Sequence, residues 1–305
     1  MPRSTKVTDK REFVNLGLYG PGGTGKTSNL ATLANLGPTL FVDVEAGIKR
    51  RPLELLGINV NNIELWDYER PLTFNQLEDL FDELLRELDS DPEAWAGVVI
   101  DSGTQTYEAL VQESVAYRVP RNKNHPQKSD PMFIDRDDWG RANGEYRRLL
   151  RRFCADLPCH FGASYLSRRD KDAHTGEVHI GPAVSPGLQP DVIGWPDIVG
   201  RCWVDQEGEA FLGTFRPEGV KEGKDRFSAL PTPMVDPTFE RIVKYVYDEL
   251  DFDSDPVQAA WGLAAVDEDE GGDDDEAEPV ATKPVVRAPA RPRPRPKKKA
   301  AAGRR

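Results

Sequence analysis

The sequence predicts an α/β protein: a mainly parallel sheet flanked by helices, with a late β-hairpin and a tail outside the core. Three observations predict it. Short apolar runs alternate with amphipathic stretches of helical length, the pattern of strand–helix–strand units. A glycine-rich loop, Gly20-Pro21-Gly22-Gly23-Thr24-Gly25-Lys26-Thr27, joins the first apolar run to the first helical stretch. Acids stand at or just past the carboxyl ends of two later runs, where open parallel sheets hold their ligands.

The elements follow in order. Residues 14–19 read as a buried strand, and 28–36 as a helix stopped by Gly37-Pro38. Residues 39–44 are a second strand, ending in Glu45-Ala46-Gly47, and 63–68 a third. Phe74, Leu77, Leu80, Phe81, Leu84, Leu85 and Leu88 fall at helical spacing, and Ser90-Asp91-Pro92 closes that helix. The apolar run 97–102 carries Asp101 at its carboxyl end, and a helix is expected over 105–117. A break rich in Pro, Asn and charge (119–130) precedes a helix over 139–153 and a strand over 160–166. A long Gly/Pro-containing segment, 167–196, leads into a strand over 198–204, which turns at 205–208 into 209–215 as a hairpin. A helix over 239–252 closes the fold. Beyond it, nine acids and then ten Lys/Arg interleaved with Pro occupy 267–305, a composition that cannot bury a core and reads as disordered. The expected division is a flexible lead (1–12), one core domain (13–252), a linker (253–266) and the tail (267–305).

The glycine-rich loop fixes the chemistry. Its backbone can curl so that successive N–H groups of Gly20, Pro21, Gly22, Gly23, Thr24, Gly25, Lys26, Thr27 and Ser28 (Pro21 excepted) surround one phosphate chain, with a helix N-terminus behind them. Lys26 would reach the β/γ-phosphates, and Thr27 would ligate Mg²⁺. ATP with Mg²⁺ is the expected ligand. Asp101 is the expected second acid on the metal, held directly or through water. A carboxylate in the position of Glu45 can orient and deprotonate an attacking water, although spacing alone reads it equally well as a solvated loop acid.

Composition bounds the rest. The net charge of the 305 residues is −12, and the tail contributes +1, so the body is acidic and any nucleic-acid contact must use local basic segments. Three cysteines show no metal-ligand spacing and leave an odd thiol, which points to a reducing interior. Without an 18-residue apolar run or a charged-then-apolar leader, neither membrane spanning nor secretion is expected.

Gly20 to Thr27, then Phe41-Val42-Asp43-Val44-Glu45-Ala46, then Val98-Val99-Ile100-Asp101-Ser102 resemble, in order and context, the RecA/RadA recombinase core. The order of elements, late hairpin included, is similar to the reduced RecA-like ATPases of bacteriophages, the single-strand annealing (Sak-type) proteins. The resemblance covers about residues 13–250. It implies a RecA-like P-loop NTPase core, Glu45 as catalytic carboxylate, and Mg-ATP hydrolysis linked to single-stranded DNA annealing and homologous recombination. It also implies a phage-encoded chain in the host cytoplasm, whose partners are single-stranded DNA, further copies of itself in a ring or filament, and a single-strand binding protein. Lys224-Asp225-Arg226-Phe227 is similar to the Lys-Asn-Arg-Phe motif of RadA, so Lys224 and Arg226 are expected on a loop, reaching a neighbouring subunit's nucleotide as an arginine finger does. The other reading of these cations is a solvated basic loop. Where RecA-type enzymes place a γ-phosphate-sensing Gln, this chain has Ser164 and Tyr165.

Two basic segments lie where this family resembles itself in placing DNA-contacting loops: Arg118, Arg121, Lys123 and Lys128, and Arg168, Arg169 and Lys171. Such contacts would give affinity with little sequence preference. Two other functions fit the loop equally: a RecA-fold motor or regulator acting on a protein partner, and a P-loop kinase for a small molecule.

Overall fold

The computed structural model describes residues 13–171, 176, 178–204 and 211–260; the lead 1–12 and the tail 267–305 lie outside the described residues. One mixed sheet organises them. Strand β1 (Asn15–Gly20) is buried along its whole length and lies between two parallel neighbours, β5 (His160–Lys171) and β7 (Ile198–Val204). Outward from β5 come β4 (Gly97–Asp101), β2 (Thr39–Asp43) and β3 (Ile63–Leu65), all parallel. Outward from β7 the sheet turns antiparallel, through β8 (Phe211–Thr214) to β10 (Met234–Val235). The strand carrying Asp101 is thus separated from β1 by β5.

Helices cover both faces because each sequence pattern leaves one side apolar. On one face Leu30 and Ala31 of α1 (Lys26–Ala31), Leu53 of α2 (Arg50–Leu55) and Ile242 and Val243 of α7 (Phe239–Val246) pack with Leu16, Leu18 and Phe41. On the other, α3 (Phe74–Ser90), α4 (Gly103–Arg118) and α5 (Arg136–Arg151) bury Leu80, Leu110 and Leu149 against Val98 and Phe161. α3 starts where Thr73 and Gln76 cap each other's backbone, and Asp135 with Asp138 does the same for α5.

Several elements differ from the sequence expectation, each for a packing reason. The helix after the loop begins at Lys26 and tightens into a 3-10 turn over Thr32–Asn35. α7 stops at Val246, short of the expected 252, and α8 (Pro256–Ala260) lies within the stretch expected as linker. There Gln258 is fully buried, accepting from Val235 N–H and donating to Pro233 O, so the chain is tied to the sheet edge past 252. The long segment expected after 166 is not a loop at its start. β5 continues to Lys171 and turns back as β6 (Val178–Pro182), antiparallel to it, before α6 (Gln189–Gly194). Lys224 and Asp225 likewise form a short strand, β9, on the amino end of β7 and not a loop past a strand end. The expected turn at 205–208 lies outside the described residues.

Candidate nucleotide site

The loop from Gly20 to Gly25 curls at the carboxyl end of β1. Two backbone features require glycine. A Cβ on Gly20 would collide with the carbonyl of Cys202 on neighbouring β7. Gly25 has φ 79°, in the left-handed region, and a Cβ there would come within 3.1 Å of the Phe211 ring. Lys26 Nζ donates to Gly20 O at 3.0 Å and Pro21 O at 2.7 Å, so its ammonium lies folded across the mouth of the loop. Burial lowers its pKa, opposed by the nearby Asp101 and Glu45 carboxylates.

The acids arrive from two other strands. Thr27 Oγ1 donates to Asp101 Oδ2 at 2.7 Å, and Ser164 Oγ donates to the other oxygen. Sheet register explains the second contact: Ile100 pairs with Ala163, and one step further Asp101 and Ser164 meet. Two residues past β2, Glu45 accepts from Ser102 Oγ at 2.6 Å; Ser102 also caps α4 by accepting from Gln105 N–H. Asp43 is tied to the turn beneath Glu45, accepting from Gly47 N–H at 2.8 Å and Ile48 N–H at 3.0 Å. Thr27 of α1, Asp101 of β4, Ser164 of β5, and Glu45 and Ser102 just past β2 and β4 therefore converge near Lys26.

This donor set fits Mg-ATP. A hydroxyl and a carboxylate in contact are hard oxygen donors, and Mg²⁺ is normally held by one or two such groups plus phosphate oxygens and water. Among the described residues no group of three or more His, Cys, Asp or Glu gathers to hold a metal by itself. Asp101 is 4% exposed, and burial raises its pKa; the Ser164 and Thr27 hydroxyls oppose that, while Glu45 and Asp43 reinforce it. A carboxylate whose folded pKa lies above its unfolded value costs stability wherever it is ionised, and the cost is relieved as pH falls through the folded pKa. Asp101→Asn keeps both bonds, since its amide oxygen can accept from Thr27 and its amide nitrogen can donate to Ser164. The nucleotide-free variant is therefore expected to melt above the wild type at neutral pH, with the difference shrinking as pH is lowered, while losing Mg-dependent nucleotide binding. Thermal unfolding between pH 4 and 8 checks it, and a lower melting temperature at neutral pH would contradict it.

Not every predicted site residue reaches the site. Tyr165, near the carboxyl end of the strand expected over 160–166, lies mid-strand because β5 runs on; it is buried, and its hydroxyl pairs with Tyr146 at 3.0 Å. Lys224 and Arg226 lie at the opposite end of the sheet from the loop. Lys224 Nζ donates to Gly194 O at 2.5 Å and Pro196 O at 2.6 Å, and Arg226 pairs with Asp197 at 2.6 Å. Arg118 is withdrawn from the basic set altogether. It is 6% exposed; its Nε lies 2.8 Å from Asp138, and its other nitrogens meet the carbonyls of Lys128 and Phe133. Its work is to pin the 119–135 segment to α5. Arg121 and Lys123 are exposed, and Lys128 pairs with Asp135 at 3.2 Å. Arg168, Arg169 and Lys171 are exposed on the β5–β6 hairpin, Arg168 beside Asp170 at 2.6 Å. Ser102 and Ser164 stand out in the sequence as neighbours of other motifs, but not as the hydroxyls that hold the two key carboxylates. The Asp101-Ser102 pair was visible, but only strand pairing brings Ser164 to Asp101.

A phosphate-cradling loop at the end of β1, a lysine within it, and Thr27 of α1 bonded to Asp101 of β4, one strand removed from β1, define a P-loop nucleotide-binding α/β protein. A family model described as AAA domain matches residues 12–227, and the chain belongs to that family. Among solved structures, the RadB recombinase is similar over 68% of this chain and 84% of its own, at 18% identity and a TM-score of 0.42, a likeness too distant to bear on function. No curated protein matches. Among the described residues no helix is long and apolar enough to cross a membrane.

Proposed function

We propose that this chain is an ATP-hydrolysing, self-associating protein that binds single-stranded DNA and promotes annealing in homologous recombination, of the kind phages encode. One observation carries the reading. β5 runs without a break from Ser164, which holds Asp101, to Arg168, Arg169 and Lys171 on the hairpin, so one rigid strand joins the nucleotide's acid to an exposed basic surface.

The chemistry follows from the side chains present. Loop N–H groups and Lys26 bind the phosphates, and Lys26 must leave Gly20 O and Pro21 O to do so. Thr27 and Asp101 would hold Mg²⁺, which offsets phosphate charge as the γ-phosphoryl group transfers. Glu45, steadied by Ser102, takes a proton from water; the water oxygen bonds to the γ-phosphorus as its bond to the ADP oxygen breaks. The acidic body leaves DNA affinity to the local basic groups, so binding should fall steeply with salt. Fluorescence anisotropy with a labelled oligodeoxynucleotide at about 50 mM salt is expected to show binding that weakens as salt is raised. No binding, with or without a non-hydrolysable ATP analogue, would overturn the DNA reading and leave the hydrolytic site standing.

A further inference from the structure

A groove of about 540 Å³ runs along α4, and no motif in the sequence marks it. Its floor is one face of that helix, where Gln105, Glu108 and Gln112 recur at helical spacing. One wall is the segment after β3, with Tyr68 stacked on Trp66 (centroids 5.1 Å apart) and Arg70 5.6 Å from the Tyr68 centroid. The other is Trp139 on the first turn of α5, 39% exposed and steadied by Tyr107 at 6.0 Å. The inner end is Val44, the neighbour of Glu45.

We propose that this groove seats unstacked bases of a single nucleic-acid strand, with Trp139 as the stacking platform. The proposal rests on the single-stranded DNA reading above and gives it a location. Three features favour a nucleic-acid strand over a peptide. Two rigid aromatic walls offer π-faces, which every base can use. Two side-chain amides and a carboxylate on the floor offer donors and acceptors to base edges. A guanidinium, Arg70, lines the groove where a flanking phosphate would lie. A duplex hides its base faces, so only a single strand fits. Behind the groove, the buried Tyr107 that steadies Trp139 shares Asn143 as acceptor with Ser185, just past β6. Because the groove ends at Val44 and its floor begins at Gln105, beside Ser102, a strand lying in it would press on both residues that frame Glu45.

The test uses the full chain and a fluorescein-labelled oligothymidylate of about 20 nucleotides. Trp139→Ala and Tyr68→Ala are each expected to weaken binding roughly tenfold, the scale of one base-stacking contact, and Trp139→Phe to retain most of the affinity. DNA-free ATP hydrolysis should stay at the wild-type value, which separates loss of the seat from loss of the fold. Wild-type affinity in both alanine variants would overturn the groove and leave DNA binding intact. Failure of the wild-type chain to bind the oligonucleotide at all would remove the function and the groove together.

Discussion

Glu45→Gln is expected to lower ATP turnover by roughly 10²- to 10⁴-fold, the usual loss when a positioned general base is removed, while nucleotide affinity stays near wild type. The substitution is close to isosteric, and the new amide oxygen can still accept from Ser102 Oγ, which holds Glu45 at 2.6 Å. What disappears is the group that takes the proton from water. Binding should not suffer, because Glu45 touches neither Lys26 nor Thr27 and its charge lies close enough to disfavour ionisation of Asp101. Removing that charge also eases the approach of a polyanion. Steady-state phosphate release and titration with a fluorescent nucleotide separate the two effects. Near-normal release would move the base elsewhere, and lost affinity would show that Glu45 supports the loop.

Legibility in the sequence followed how local each signal was. Gly20 to Thr27 needs no partner to be recognised, because its spacing is set by the phosphates it surrounds. Glu45 and Asp101 were legible because a strand's end is marked by its own apolar run. Residues whose meaning depends on pairing were not. Ser164 looks like any strand serine until β5 is placed beside β4 and its hydroxyl meets Asp101. Arg118 looked like the start of a basic loop, and only α5 reveals that Asp138 neutralises it. β5 was expected to stop near 166 because its exposed residues from Ser167 onward are polar; pairing with β6 carries it on. Trp139 shows the same limit. Its helical position was clear, but its exposure beside a groove is a property of three segments meeting.

The double variant Lys224→Ala/Arg226→Ala separates the two roles left open for those cations. Their strand, β9, pairs with Ile198 and Val199, which lie beside Leu16 and Gly17 near the start of β1, whereas the phosphate loop begins at its far end. At about 3.3 Å per residue, a short strand's length separates them from their own subunit's loop, so only a neighbour's nucleotide could meet them. In the isolated chain they lie at the carboxyl end of α6, where carbonyl oxygens favour cations. Burial and mutual repulsion lower the Lys224 pKa, so a polyanion arriving from a neighbour would be a better partner than the carbonyls it now meets. A finger acting between subunits predicts hydrolysis per subunit that rises with protein concentration, and a loss of about 10³-fold or more in the double variant with ATP affinity unchanged. It also predicts complementation. Lys26→Ala subunits keep the cations but lack a working loop, and the double variant keeps the loop but lacks the cations, so mixing two inactive proteins should restore part of the activity at their shared interfaces. A purely structural pair predicts a lowered melting temperature and no recovery on mixing, because each damaged subunit would carry its defect alone.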